Sequence, residues 1–551
     1  MKKRIFIILF FLMYLNSVGQ KLFLKIYGEN EKTLKTIDSI GYNKSFGNAK
    51  LIVEEVTDFS KKLTQNGFIE SEVIDNGKLN DSTFFYNYNV GKRTNFIHIY
   101  IGRKLGEFLE VKTDSIVLPF TDSESFLKVT LKKLEVKGFS LAKVKLLNLK
   151  KQNGIVSAIL NVVYGDKRSV NDIVINGYDK FSEGHKQNIK RLYRNKVFNL
   201  QNLEKVNKDF EQFRFVKQTK YPEILFTKDS TKIYVYLEKT KANTFDGFLG
   251  FNNDESNNVV FTGYLDLSLQ NILNSGEKIA LYWKSDGQDQ KTFNLGVELP
   301  YIFKSPIGLK AQLNIFKQDS TFQTTRTNFD LGYFFNYNSR LYLGYQAAES
   351  SDIKNLNLPT LNDYTNRFVT GNYEFLQFKN DDFLFPEKTN FNLKLGTGKR
   401  DAKLASNSQF FGSLNLKNNF YLNSKNIINI KSQNFYLQSD SYIINELYRF
   451  GGINSVRGFN ENSLQANAFS SILTEYRYVL SPSIYAHSIV DYAYFQDKTS
   501  NASNSLLGLG FGFGLLTKNG LFNIVYANGS TKNQAIKLSN SIVHISLKAT
   551  F

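Results

Sequence analysis

The sequence predicts two architectures in one chain: three small α+β domains, then a sixteen-stranded antiparallel transmembrane β-barrel. Two observations carry this. Up to Lys241 a strand–helix–helix–strand–strand order recurs about every 70–75 residues, too long a period for a solenoid and suited to small domains in tandem. From Thr244 the chain instead alternates apolar and polar residues, and after the first nineteen residues no run approaches the roughly eighteen apolar residues of a membrane helix. A membrane span must then be built from alternating strands.

The 551 residues open "MKKRIFIILFFLMYLNSVGQ". Lys2, Lys3 and Arg4 form a basic start, Ile5 to Leu15 an apolar core, and Ser17-Val18-Gly19 a small-residue site before Gln20. That is the layout of a cleaved secretory signal, so residues 1–19 are expected to be removed. A buried N-terminal strand is the alternative.

Three units follow, at residues 20–91, 92–167 and 168–241. In the third, a strand at Ile173–Ile175 ends at Asn176-Gly177, and helices are expected around Glu183–Leu192 and Leu200–Phe210. Leu203, Val206 and Phe210 share one face of the second helix. Strands at Glu223–Thr227 and Lys232–Glu238, joined through Lys228-Asp229-Ser230, close the unit. The second unit runs from the strand "TNFIHIYIG" through the helical "ESFLKVTLKKLEVKGFSLAKV" to the returning strand "GIVSAILNVVYG". The first runs from "KLFLKIYG" through the helix "AKLIVEEVTDFSKKLTQNGF" to "STFFYNYNVG". The phrases "KKLTQNGFIESEV" and "KKLEVKGFSLAKV" occupy the same place in consecutive units.

Residues 244–551 are expected to form the barrel. "NFNLKLGTG" sets Phe391, Leu393 and Leu395 against Asn392, Lys394 and Gly396, and "LLGLGFGFGLL" sets Leu507, Leu509, Phe511 and Phe513 against four glycines. The last strand sets Val543, Ile545, Leu547, Ala549 and Phe551 against His544, Ser546, Lys548 and Thr550. Link lengths decide between barrel and soluble sandwich. Tight links at 274–276, 300–306, 336–338, 380–387, 423–425, 481–482 and 518–519 alternate with longer ones at 349–365, 399–406, 439–465, 496–503 and 530–538. Short turns at one end and long loops at the other describe a membrane barrel, greasy side outward and polar side toward the lumen. The aromatic content of 15% suits interfacial girdles.

Composition removes several chemistries. With no cysteine, disulfides, thiol catalysis, thiolate metal sites and a lipidated N-terminal cysteine are excluded. His98, His185, His487 and His544 are scattered without ligand spacing, so no metal site is expected. The glycines of "GLGFGFG" alternate within a strand and open no helix, which reads as a smooth inner wall and not a phosphate cradle. No nucleophile elbow has triad partners in order. Neither an enzyme nor a cofactor is expected. The net charge of +19 is concentrated before residue 241, where about 41 Lys and Arg face 26 Asp and Glu. Such a region suits anionic lipid head groups or acidic clients. Nucleic acid is not expected, because no motif for it is readable. Most of these lysines read simply as solvated faces.

One stretch breaks the alternation: "YRFGGINSVRGFNENSL" (Tyr448–Leu464), in the long link between the eleventh and twelfth strands. Here the sequence resembles the BamA/TamA-like superfamily of outer-membrane assembly factors, which includes the two-partner-secretion transporters. The resemblance rests on Val456-Arg457-Gly458-Phe459, on "RFGG" before it and "NSL" after it, on the tandem units upstream and on the terminal Phe551. It implies periplasmic POTRA domains followed by an outer-membrane barrel. It also implies a sixth loop folded back into the lumen, its Arg457 meeting acids at the matching positions Glu475 and Asp491. Alternation supports this independently: with Ile472, Tyr476 and Tyr478 facing lipid, Glu475 faces inward, and Asp491 does so between Val490 and Tyr492. The family's Phe-x-Asp-x-Gly is altered here, with Ile489 before and Ala493 after Asp491.

Phe551 resembles the terminal aromatic signal read by the barrel-assembly machinery. A lateral seam is expected where the first and last strands meet, at Phe245 and Phe248 against Val543, Ile545 and Leu547. The implied partners are unfolded outer-membrane or secreted polypeptides, outer-membrane lipid, and a periplasmic or inner-membrane partner protein. The resemblance thus implies insertion or translocation of client chains. A two-partner-type polypeptide transporter and a passive porin or receptor are the alternatives.

Overall fold

The structure, a computed structural model, describes residues 21–152, 154–253, 259–285, 290–355, 358–379, 381–402, 406–532, 534–537 and 541–551, with only the backbone of 104, 248–253 and 259–262. The expected signal lies outside the described residues. The chain divides into two compact units, one running to Arg168 with Val197–Leu200, the other comprising Ser169–Lys196 and Gln201–Phe551. The third α/β domain is thus one unit with the barrel.

The first unit holds two α/β domains of one design. In the first, β1 (Leu22–Gly28), α1 (Glu31–Ile40), β2 (Ser45–Phe46), α2 (Ala49–Gln65), β3 (Glu72–Asn80) and β4 (Thr83–Asn89) form a sheet of order β2-β1-β4-β3. Strands β1 and β4 are parallel and the other pairs antiparallel. Asn30 and Asn48 cap the two helices, their side chains accepting from the backbone of Thr33 at 2.9 Å and Leu51 at 3.0 Å. The helices bury Ile37, Ile52, Phe59 and Leu63 against Leu24, Ile26 and Tyr88 of the sheet. The second domain repeats this with β5 (Phe96–Tyr100), α3 (Arg103–Leu109), β6 (Ser115–Pro119), α4 (Ser123–Val136), β7 (Lys143–Gln152) and β8 (Ile155–Val163), in the order β6-β5-β8-β7.

The shared phrase marks a helix stop. Gly67 and Gly138 adopt φ of +94° and +100°, which glycine alone reaches without strain. The following Phe68 and Phe139 then donate back to Leu63 and Leu134, both at 3.0 Å, in the Schellman pattern. This corrects the expected helix through Val144: it ends at Val136, and Lys143 already begins β7.

In the second unit, the third domain runs β9 (Asp172–Asn176), α5 (Glu183–Tyr193), α6 (Leu200–Phe210), β10 (Val216–Gln218), β11 (Glu223–Phe226) and β12 (Thr231–Lys239). Strand β12 pairs with β9 in parallel and with β11 and β10 antiparallel. The strands β2, β6 and β10 escape the sequence reading: β2 and β10 have only two and three residues, and β6 is a continuous apolar run, Ile116-Val117-Leu118, with no alternation.

The barrel is closed by sixteen antiparallel strands, from Thr244–Asn253 to Ile542–Thr550. Its wall is inverted relative to a soluble protein: Phe329 and Leu331 are 67% and 55% exposed while Asp330 between them is 4% exposed. The ninth and tenth strands, Glu387–Ala402 and Ser406–Tyr421, have sixteen residues each, beyond the roughly 9–11 needed to cross hydrocarbon. Strand therefore occupies much of two links expected to be loops: 399–402 belongs to the ninth strand, and the 496–503 link shrinks to 498–501. The links at 353–363 and 439–467 remain long.

Candidate functional site: the inserted loop and the barrel seam

The long link leaves the eleventh strand (Asn426–Gln438) through a helical turn at Ile444–Glu446. It then forms a small hairpin, Tyr448–Phe450 pairing with Leu464–Ala466, before entering the twelfth strand (Ala468–Ser481). The hairpin lies against inward-facing apolar residues: Phe450, Val456 and Ala466 cluster with Phe469, Leu473, Ala493 and Leu506. Phe450 sits over Phe469 with ring centroids 4.2 Å apart. The expectation of a polar lumen is corrected here, because this part of the inner wall is the loop's own hydrophobic core.

The tip carries the guanidinium. Arg457 Nε donates to Asp491 Oδ2 at 2.8 Å and Nη2 to Asp491 Oδ1 at 2.5 Å, a two-pronged pair, while the Arg457 backbone N–H adds a third bond to Oδ2 at 3.0 Å. Its Nη1 donates to Glu475 Oε1. The other Glu475 oxygen accepts from Arg477 Nε at 2.7 Å. Two cations and two carboxylates thus neutralise each other where Asp491 is fully buried. The altered flanks have packing roles: Ala493 joins the loop's core, and Ile489 packs with Val525, Ala527 and Ile453.

Small residues let the tip approach the wall. Gly458, at φ +87°, lies so close to the backbone of Asn528 and Gly529 that a Cβ has no room, and Gly529 in turn abuts the Gly458 carbonyl and the Phe459 ring. Of the inner-wall glycines read from the sequence, Gly508 meets the loop, at the Arg457 carbonyl, whereas Gly510, Gly512 and Gly514 lie against Tyr526, His487 and Tyr485 of neighbouring strands.

Several anchors were not singled out in the sequence. Glu461 pairs with Lys284 and accepts from Tyr282 Oη at 3.0 Å, both on the third strand (Lys278–Ser285). Glu446 pairs with the buried Arg400 and accepts from Gln409 at 2.8 Å. Asn445 donates to Ser350 at 2.9 Å and to the Asn362 carbonyl at 2.8 Å. Alternation makes Arg400 legible as an inward cation, but nothing local reveals a partner 46 positions away. Beneath the loop lie cavities of about 350 and 420 Å³ that share Glu387 and Asn390, so open space continues toward the end of the barrel that meets the third domain.

At the seam, the first strand pairs with the second over ten positions but with the last over two, Thr244 with Thr550 and Phe245 with Ala549. One further backbone bond, Phe551 to Asn243 at 3.0 Å, lies beyond the strand ends. Val543, Ile545, Leu547 and Phe551 are exposed on the outer surface, as is Phe245. The Phe248 side chain lies outside the described residues.

The third domain is locked to barrel turns. Ser182 Oγ donates to the Ser275 carbonyl at 2.9 Å, and Asn188 Nδ2 to that of Ser305 at 3.1 Å. His185 is buried among Phe181, Phe213, Phe215, Tyr301 and Tyr337, its ring against Gly276 and neither nitrogen hydrogen-bonded. Burial, aided by the nearby Arg340 cation, depresses its pKa to about 3.

No protein-family model matches the sequence, and no curated protein does. Solved structures do match. CdiB from Acinetobacter baumannii is 12% identical at a TM-score of 0.52, over 81% of this chain and 85% of that one. CdiB from Escherichia coli is 13% identical at 0.51, over 89% and 95%. BamA from Haemophilus ducreyi lacking POTRA domains 1–3 gives 15% and 0.44, over 81% and 96%. At such identities the likeness is one of fold: α/β domains leading into a closed sixteen-stranded barrel.

Proposed function

We propose that this chain is a non-enzymatic outer-membrane factor that inserts or passes unfolded polypeptides, its α/β domains on the periplasmic side after export. The seam carries the reading. Ten backbone pairs hold the first strand on one side and two on the other. A closed barrel has no other edge to offer a client strand, and unsatisfied backbone groups there invite pairing. The open sheet edges at β3, β7 and β11 are suited to recruiting an extended segment by strand addition. Partners are then unfolded outer-membrane or secreted chains, the surrounding lipid, and a periplasmic or inner-membrane protein. No cofactor is invoked, and Phe551 serves the chain's own assembly.

A photo-crosslinker at Phe245 or Ile545 tests this in cells. Capture of nascent barrel proteins is expected. Steady ion conductance with no captured polypeptide instead means a passive porin. Passage through the lumen is the second reading, favoured by the open space beneath the loop. It predicts capture of a secreted chain from the inward-facing Lys278 and not from the seam.

A further inference from the structure

The cavity of about 420 Å³ at the domain-side end of the lumen has an uneven charge balance. Five cations line it against three carboxylates. Each carboxylate is already engaged: Glu374 with Lys310 at 2.5 Å, Glu298 with Arg340, and Glu387 with Lys417 at 3.1 Å. Three lining cations, Arg214, Lys278 and Lys548, have no ion-pair or hydrogen-bond partner among the described residues. They come from three separate elements: the segment after α6 of the third domain, the third barrel strand and the last. Arg214 is held at the mouth by its position over the Phe378 ring, 5.4 Å from the centroid, and by its neighbour Gln212, which accepts from the Phe378 backbone at 2.9 Å. Thr244, the first residue of the seam, lines the same chamber, and Lys548 enters it from the opposite seam strand.

Lys278 faces the Arg340 and Lys310 cations as well as Glu298, and Arg214 faces Glu387, so these cations share carboxylates already bound to other partners, and an entering anion adds the missing negative charge. An arginine and two lysines offer forked and point donors that suit a carboxylate. We propose that this chamber is a carboxylate-binding site that takes a carboxylate of the polypeptide segment entering at the seam. The proposal rests on the client-handling reading above and adds to it the group recognised. A segment paired with the first strand as the chain's own last strand is paired ends beside Asn243, next to Thr244 and the chamber. Its source is a chain terminus or an acidic side chain facing inward.

The probe is a labelled peptide of the chain's own residues 541–551, SIVHISLKATF, whose terminal carboxylate is its sole anionic group. Its binding to full-length protein in detergent is measured by fluorescence anisotropy for three forms: free acid, terminal amide, and amide with Ser546→Asp. The free acid is expected to bind about tenfold more tightly than the amide at low salt, the scale of one charge-assisted contact. That advantage should vanish in Arg214→Gln/Lys278→Gln/Lys548→Gln. Recovery by the Asp form identifies an acidic side chain as an equally good source. Equal affinity of all three forms for the unmodified protein overturns the carboxylate site and leaves the seam reading standing. Absence of binding by every form overturns both. The comparison on unmodified protein decides the matter even if the triple variant does not fold.

Discussion

Removing the Arg457 guanidinium is the sharpest perturbation of the inserted loop. Arg457→Ala deletes two bonds to Asp491 and one to Glu475. Glu475 keeps Arg477, but Asp491, fully buried, keeps only the Arg457 backbone N–H. Three charge-assisted bonds at about 1.5–3 kcal/mol each set an upper bound near 9 kcal/mol. The net cost is smaller, because the pair was itself desolvated, and breaking one partner of a buried pair typically costs about 3–5 kcal/mol. Most of that is the stranded carboxylate. The double variant Arg457→Ala/Asp491→Asn should therefore recover part of the loss, and Arg457→Lys should fall between, since an ammonium cannot fork. Urea titration of the refolded barrel, with heat-modifiability on gels, measures the loss. An Arg457→Ala midpoint equal to wild type, with unchanged client capture at the seam, refutes the clamp.

Four other outcomes follow from the same geometry. Gly458→Ala should cost about 1–3 kcal/mol from backbone conformation alone, more with the wall contact, and loosen the tip in limited proteolysis. A disulfide between Phe245→Cys and Ala549→Cys, in a chain with no other cysteine, should block client insertion when oxidised and release it on reduction; unimpaired insertion by the oxidised form removes the seam from the mechanism. The folded pKa of His185 lies below its unfolded value near 6.5, so below pH 6.5 the unfolded chain takes up a proton that the folded one refuses. Stability should be intact above pH 6.5 and fall by up to about 1.4 kcal/mol per unit toward pH 3; His185→Phe should flatten that slope in urea midpoints at pH 7.5 and 5. Glu461→Gln should cost about 1 kcal/mol or less, because the pair is partly exposed, yet speed hydrogen exchange in the first two strands.

What the sequence revealed follows from the range of each signal. Period-two alternation is local: it puts Val543, Ile545 and Leu547 on one face and turns Asp491 away from Val490 and Tyr492, and in the structure the first three are exposed and Asp491 is buried. Helix stops are local too, but the Gly138 stop was overrun because apolar residues continue through Leu141 and Val144. Pairings across tens of residues leave no local trace. Arg457 was placed beside Glu475 and Asp491 through family resemblance plus parity, while Glu446 with Arg400 and Glu461 with Lys284 had neither. The apolar inner wall at Phe469 and Leu473 was hidden for another reason: alternation shows which residues share a face, and only coordinates reveal that a loop covers it.

The anchors also divide the work of holding the seam. The loop's tip lies on the fifteenth strand at Asn528 and Gly529, while Glu461 reaches the third strand at Tyr282 and Lys284. Only the last strand and the first two lie between those attachments, and the two-pair seam is among them. A loop fixed to both flanks braces the wall on either side of its weakest ladder, so separation is confined to the strands between. The hydrophobic hairpin supplies affinity for the lumen, since burying a Phe or Leu is worth about 1.5–3 kcal/mol without fixing its orientation. The Arg457 clamp fixes register, because a forked guanidinium tolerates one arrangement of its carboxylates. Loss of the Glu461 tether should therefore free the strands next to the seam and leave the clamp intact. Loss of the clamp should shift the whole tip and weaken the brace at both ends.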